Sequence, residues 1–305
     1  LKLFLAFELD QAGCMGASSA EQEFGGKRGS PGRRGKIEPW MEHPWLHRLA
    51  MLLAVCTLLL VITGASVTST EASSDYGHRI IANVVGLLTL VMAVALWPLD
   101  TRRWMGVLGG GALLIVLAEM SFPSGTKLAA ILHACLAQLF FAITVAIAVC
   151  TSPSWRHDPV LLEDSGWPSI RSMAVTAPIL VVIQLVLGAG YRHKAFGMLP
   201  HITGAIFVAG FLLLISVFVV SQFATHPSLR RSAWVLMGIT AVQVILGIAA
   251  YVARLSNAPT MVLLTVAHVA TGALTMAATA TLSIQIFRNV RPQAKLASGT
   301  LPAVS

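Results

Sequence analysis

Eight stretches of 18 to 27 residues, at 49–68, 78–97, 104–121, 128–150, 172–190, 199–222, 233–252 and 261–287, are dominated by apolar side chains. Crossing the hydrocarbon of a bilayer takes about 20 residues of helix. A chain with eight such stretches has no soluble core large enough to hide them. Backbone in lipid must satisfy its own hydrogen bonds, so each stretch is expected to be helical. A closed barrel would need shorter segments with period-two alternation. Composition agrees: charged residues make up 11% of the 305 positions and mean hydropathy is +0.76, whereas soluble domains carry roughly 25% charge. The expected fold class is an all-α polytopic membrane protein, eight transmembrane helices in two pseudo-symmetric four-helix bundles.

The net charge of +8 does not mark a nucleic-acid binder, because the basic residues lie mainly between the apolar runs and in the first 40 positions. One side of the membrane would hold Arg48, Arg102, Arg103, Arg156, Arg171, Arg230, Arg231, Arg288, Arg291 and Lys295. The other would hold Lys127, Arg192, Lys194 and Arg254, with Arg79 at its boundary. The positive-inside rule then places both termini in the cytoplasm, and the expected location is a bacterial plasma membrane. Residues 26–36 read GKRGSPGRRGK, a flexible basic composition. Residues 1–40 are read as a basic tail, non-native or disordered, with translation starting at Met41. Cys14, Cys56, Cys135 and Cys150 form no CxxC pair, so neither a disulfide framework nor a covalent haem attachment is expected.

The chain repeats itself. Residues 184–188 read QLVLG and residues 243–247 read QVILG. Arg102-Arg103 precede the third segment as Arg230-Arg231 precede the seventh. His78 and His201 open segments two and six, and His133 and His268 lie early in segments four and eight. The reading is a duplication: an N-terminal bundle at 41–156, a C-terminal bundle at 157–295 and a short tail at 296–305. Four crossings return the chain to its starting side, so the halves should be parallel repeats.

Histidine inside a transmembrane helix is a functional candidate by default, and four recur on the even-numbered helices. The residues four positions on are Ala82, Ala137, Ala205 and Gly272, which share the histidines' helix faces. A small side chain there leaves room for a flat macrocycle beside an axial imidazole; ordinary small-residue packing is the blander explanation. Zinc or copper is the rival metal reading, but few carboxylates or thiols stand near these histidines. Two bis-histidine haem sites fit the two-plus-two pattern better.

The halves diverge in what precedes the first histidine. Asp75 stands three residues before His78, and Met198 three before His201. Asp75 is either a carboxylate beside an iron ligand, able to orient the imidazole or move protons, or an N-terminal helix cap. Met198 does neither acid–base task, so chemistry is expected in the first half. His193, between Arg192 and Lys194, either pairs with haem propionates or belongs to a polar loop. Glu119 is read as an interfacial cap in preference to a proton relay. His43, His47, His157 and His226 are read as solvated cytoplasmic residues.

Over roughly 44–288, this pattern resembles the haem A synthase family. Asp75-Tyr-Gly-His78-Arg79 is similar to that family's Glu-x-x-His-Arg signature, and the segment from Gln184 to His193 resembles its fifth helix. The resemblance implies that His201 and His268 hold a cofactor haem b, assisted by Arg192 and His193. It implies that His78 and His133 are metal ligands at the site of a haem O substrate, with Asp75 beside them in catalysis. The implied reaction oxidises the C8 methyl of haem O to the formyl group of haem A. Implied partners are haem O, an electron partner, and haem O synthase or cytochrome oxidase assembly factors, all at the lipid bilayer. The sequence departs from the family in Asp75, one methylene shorter than glutamate, and in lacking a cysteine pair between segments one and two. A di-haem electron carrier and a haem transporter or chaperone without turnover are the competing functions.

Overall fold

The structure is a computed structural model that describes residues 43–70, 75–121, 125–156, 158–164 and 167–292. The two terminal tails, Met41 and His157 lie outside the described residues. Eight helices long and apolar enough to span a membrane occur among them: α1 (Pro44–Thr70), α2 (Tyr76–Leu99), α3 (Arg103–Ser121), α4 (Lys127–Cys150), α5 (Ile170–Arg192), α6 (Met198–Gln222), α7 (Pro227–Leu255) and α8 (Met261–Asn289). The protein is an all-α polytopic membrane protein.

Several helices overrun their apolar runs. Helix α7 begins six residues before the apolar stretch that starts at 233, with Pro227 in its first turn and the His226 side chain accepting from Leu229 N. Proline at that position is pre-set for a helix. At 1.5 Å per residue, 29 residues reach roughly 44 Å, well beyond a hydrocarbon core of about 30 Å. The bilayer demands apolarity only across its own thickness.

Helices α1, α2, α3 and α4 pack in a closed ring, α1 touching α2 and α4 and α3 touching α2 and α4. Helices α5 to α8 close an equivalent ring. The rings meet through α1–α8, α4–α5 and α4–α8, and exchanging the halves maps this set of contacts onto itself. Each ring has its own core: one holds Leu53, Val85, Met92, Leu96, Met105 and Ile147, the other Ile170, Leu212, Ile215, Leu229, Leu236 and Ile286. A smaller cluster of Val61, Phe141, Ala273 and Ala277 joins them. Lipid is as apolar as leucine, so association rests on close packing and interhelical hydrogen bonds. Helix α8 therefore places the small residues Ala273, Thr275, Ala277 and Thr279 in its buried face. The Ser283 hydroxyl donates across to Ala174 O at 2.7 Å.

The arginines on the side read as cytoplasmic do more than face lipid. Arg102 forms a two-pronged pair with buried Asp100 at 2.8 and 2.6 Å. Arg171 donates to Val290 O at 2.6 Å. Arg288 crosses between halves, donating to Trp155 O at 3.0 Å and lying 4.1 Å above the Trp155 ring. A short parallel pair, β1 (Leu162–Asp164) with β2 (Val290–Pro292), closes this face. Asp164 accepts from Ser169 Oγ at 2.6 Å and from the backbone N–H groups of Ile170 and Arg171, opposing the positive end of α5. Two histidines expected to be solvated are instead partly or fully buried and have protein partners. His226 is 6% exposed, and His47 Nδ1 donates to Ala148 O at 3.0 Å. Helix ends in this protein are packed against one another, which a reading of hydropathy alone cannot register.

Candidate functional site

The four intramembrane histidines sit near the starts of α2, α4, α6 and α8, at one end of the bundle. In the second half, His201 and His268 face each other with ring centres 6.3 Å apart and planes at 85°. A metal–imidazole bond is about 2 Å and the ring centre lies about 1 Å beyond its nitrogen, so two imidazoles on opposite sides of one metal have centres roughly 6 Å apart. The observed spacing fits a single iron between the rings.

Each ring has a matching cradle. His268 Nδ1–H donates to Gln243 O at 3.2 Å, and Gln243 Nε2 lies 3.4 Å from His268 Nε2. A backbone carbonyl only accepts, so this bond puts the proton on Nδ1 and leaves the lone pair on Nε2, where the Gln243 amide N–H now meets it and where a metal would have to take its place. Gln184 Nε2 lies 2.9 Å from His201 Nδ1 and donates to His201 O at 2.9 Å. One turn after each glutamine comes a glycine pressed on the ring. A Cβ on Gly188 or Gly247 would stand 2.9 Å from Cε1 of His201 or His268. The repeated QxxxG motif thus grips each histidine with its first residue and admits the ring with its last. The Oε1 atoms of Gln184 and Gln243 are buried and lack hydrogen-bond partners among the described residues. The slot expected at Gly272 is partly filled, since a Cβ there would meet Gln243 Nε2 at 3.2 Å; that small residue makes room for the glutamine. Tyr191 lies parallel to His201 with ring centres 6.4 Å apart, and its hydroxyl accepts from Arg254 Nη1 at 2.7 Å.

The first half keeps part of this pattern. A Cβ on Gly64 would stand 3.0 Å from Cε1 of His78, and Thr63 Oγ1 lies 3.1 Å from His78 Nδ1. His78 and His133 are close enough for charge on one to act on the other. Among the described residues, no three His, Cys, Asp or Glu side chains gather into a metal cage. A haem needs only two protein ligands because the macrocycle supplies the rest, so these pairs suit haem better than zinc or copper.

Glu119 breaks the symmetry. It stands 17 residues past Arg102, and Gly247 stands 17 past Arg230, so it occupies the place of the glycine that touches His268. Its Oε2 pairs with His133 Nδ1. The interfacial-cap expectation fails for a physical reason: Glu119 lies at the C-terminal end of α3, where the free groups are carbonyls and need donors. The sequence held the signal in the shared arginine pairs, once the alignment was carried through both helices.

Asp75 occupies the N-cap position of α2 without a side-chain capping bond. It is half exposed, with Oδ1 3.9 Å from Arg79 Nη1, and it acts on His78 through space. Arg192 and His193 are brought to the first half, although they belong to the second. Arg192 Nη2 donates to Ala65 O at 2.6 Å and Ser69 Oγ at 2.9 Å on α1. Its Nη1 is buried and without a partner among the described residues, which suits an anionic ligand group. Burial, Arg192 and His133 hold the His193 pKa below its ordinary value. Thr63, Gly64, Gln184, Gln243 and Tyr191 are ring partners that became visible only in three dimensions. No family model matches the chain, and no curated protein matches it.

Proposed function

We propose that this chain is a haem-dependent membrane oxidoreductase of the haem A synthase kind, with a cofactor haem b held by His201 and His268. Haem O is its substrate, bound between His78 and His133, and oxidation of the C8 methyl to a formyl group gives haem A. The observation that carries the reading is the 6.3 Å, 85° arrangement of His201 and His268, gripped on both sides by the repeated glutamine–glycine cradle. When bound, the haem irons supply one-electron chemistry that no side chain here provides.

The protein's own residues divide the remaining work. The second-half pair has two polar cradles, which suits a resident cofactor. The first half lacks both glutamines, with Leu60 and Ile115 in their places, which suits a haem that must enter and leave. Arg192 presents a buried N–H, without a partner among the described residues, to a carboxylate of the substrate. Converting methyl to formyl takes an oxygen atom from water, sends electrons to the electron partner and releases protons, which Asp75, half exposed beside His78, can pass to solvent. Both termini lie in the cytoplasm of a bacterial plasma membrane on this reading, with the histidine end outward and the electron partner docking at the bilayer.

Extracted pigment tests the proposal. Purified protein should yield haem O or haem A beside haem B. His201→Ala and His268→Ala should each abolish the low-spin haem b spectrum. Haem B alone, at two per chain, would instead make the protein an electron-carrying cytochrome. An unchanged spectrum in both variants would remove the ligation itself.

A further inference from the structure

We infer that Glu119 is a positioning residue for His133, which would make that imidazole the stronger, and His78 the weaker, of the two histidines that would hold the first-half haem. The inference rests on the haem reading of the histidine pairs. Three histidines meet a glycine at one ring edge: His78 meets Gly64, His201 meets Gly188 and His268 meets Gly247. At the fourth, the glycine's place holds Glu119, whose carboxylate meets His133 Nδ1. A carboxylate in a membrane helix is costly and persists where it has a partner and a use.

The chemistry follows from that contact. A carboxylate accepting from Nδ1–H fixes the imidazole tautomer, orients the ring and raises the basicity of Nε2, as outer carboxylates do for metal-bound histidines. The partners of the other histidines carry no charge: a hydroxyl at His78, an amide N–H that donates to Nδ1 at His201 and a backbone carbonyl that accepts at His268. Among the described residues, neither second-half histidine pairs with a carboxylate. The first-half pair is unequal, and the weaker ligand, His78, lies on the Asp75 side. The His133 side chain is 47% accessible and Glu119 only 15%, so the imidazole offers a face to a ligand while its partner stays enclosed.

The test titrates the purified full chain with ferric haem b as probe and reads affinity, low-spin resonance and midpoint potential at each half. Glu119→Gln keeps the shape and removes the charge. It should weaken haem binding at the first half about 10- to 100-fold. It should also raise that haem's potential, by about 59 mV for each tenfold change in the ferric–ferrous equilibrium. Glu119→Asp should restore part of both, and the second-half haem should be unchanged throughout. If His133→Ala abolishes first-half binding while Glu119→Gln matches the parent in affinity and potential, the inference fails and the haem reading stands. If His133→Ala leaves every haem signal intact, the haem reading of the first half fails. Loss of both haems in Glu119→Gln and Glu119→Asp alike would make Glu119 a folding residue and equally overturn the assignment.

Discussion

Gly247→Ala perturbs the second-half site by one methyl group. Its Cβ would stand 2.9 Å from His268 Cε1, 3.3 Å from Nδ1 and 3.7 Å from Nε2. Ordinary contact begins near 3.4 Å, so the ring must retreat by about 0.5 Å. The bond from Nδ1 to Gln243 O, already 3.2 Å long, resists any change in ring orientation. Metal–ligand distances tolerate only about 0.2 Å of error, so a displaced ring binds iron poorly. The expected loss of haem affinity is about 10- to 100-fold, the cost typical of disturbing a ligand's supporting shell. Gly238→Ala is the control, on the same helix with nothing within 4 Å of its added Cβ. There alanine should help the helix by about 1 kcal/mol or less. Haem content and the low-spin absorption of protein purified in parallel decide the matter. Parental haem content and spectrum in Gly247→Ala would show that His268 is not an iron ligand in this position.

Asp75→Asn should lower conversion of haem O by about 100-fold or more, the low end of general acid–base contributions, with the second-half haem retained; Asp75→Glu should preserve or raise activity. Haem A formed at the parental rate by Asp75→Asn would leave Asp75 as no more than a partner of Arg79. For topology, an impermeant thiol reagent on intact cells should label a cysteine at Lys194 and spare one at Trp167, and the reverse pattern would invert the orientation. Burial holds the His226 pKa below its ordinary value, so the unfolded state binds more protons. Its contribution is complete above about pH 6.5 and is lost as pH falls toward the folded pKa. His226→Gln should therefore flatten the decline of thermal stability on that acid side, and an unaltered pH profile would exclude a role for His226.

The number of helices, their membrane character and their division into halves could be read from the sequence because bilayer thickness and backbone hydrogen bonding act on each segment separately. The four histidines were legible for the same reason, since a polar residue in a long apolar run stands out without knowledge of its neighbours. Glutamine–glycine repeats were visible as text but not as ring cradles. Their meaning depends on α5 facing α6 and α7 facing α8, which is a property of packing. Tertiary structure also decided that Arg192 serves the opposite half, because a side chain at a helix end takes the nearest acceptors in space, and those are Ala65 and Ser69. It likewise decided the role of Glu119. A carboxylate near a helix end has many uses in one dimension, and only the approach of α3 to α4 brought it to His133.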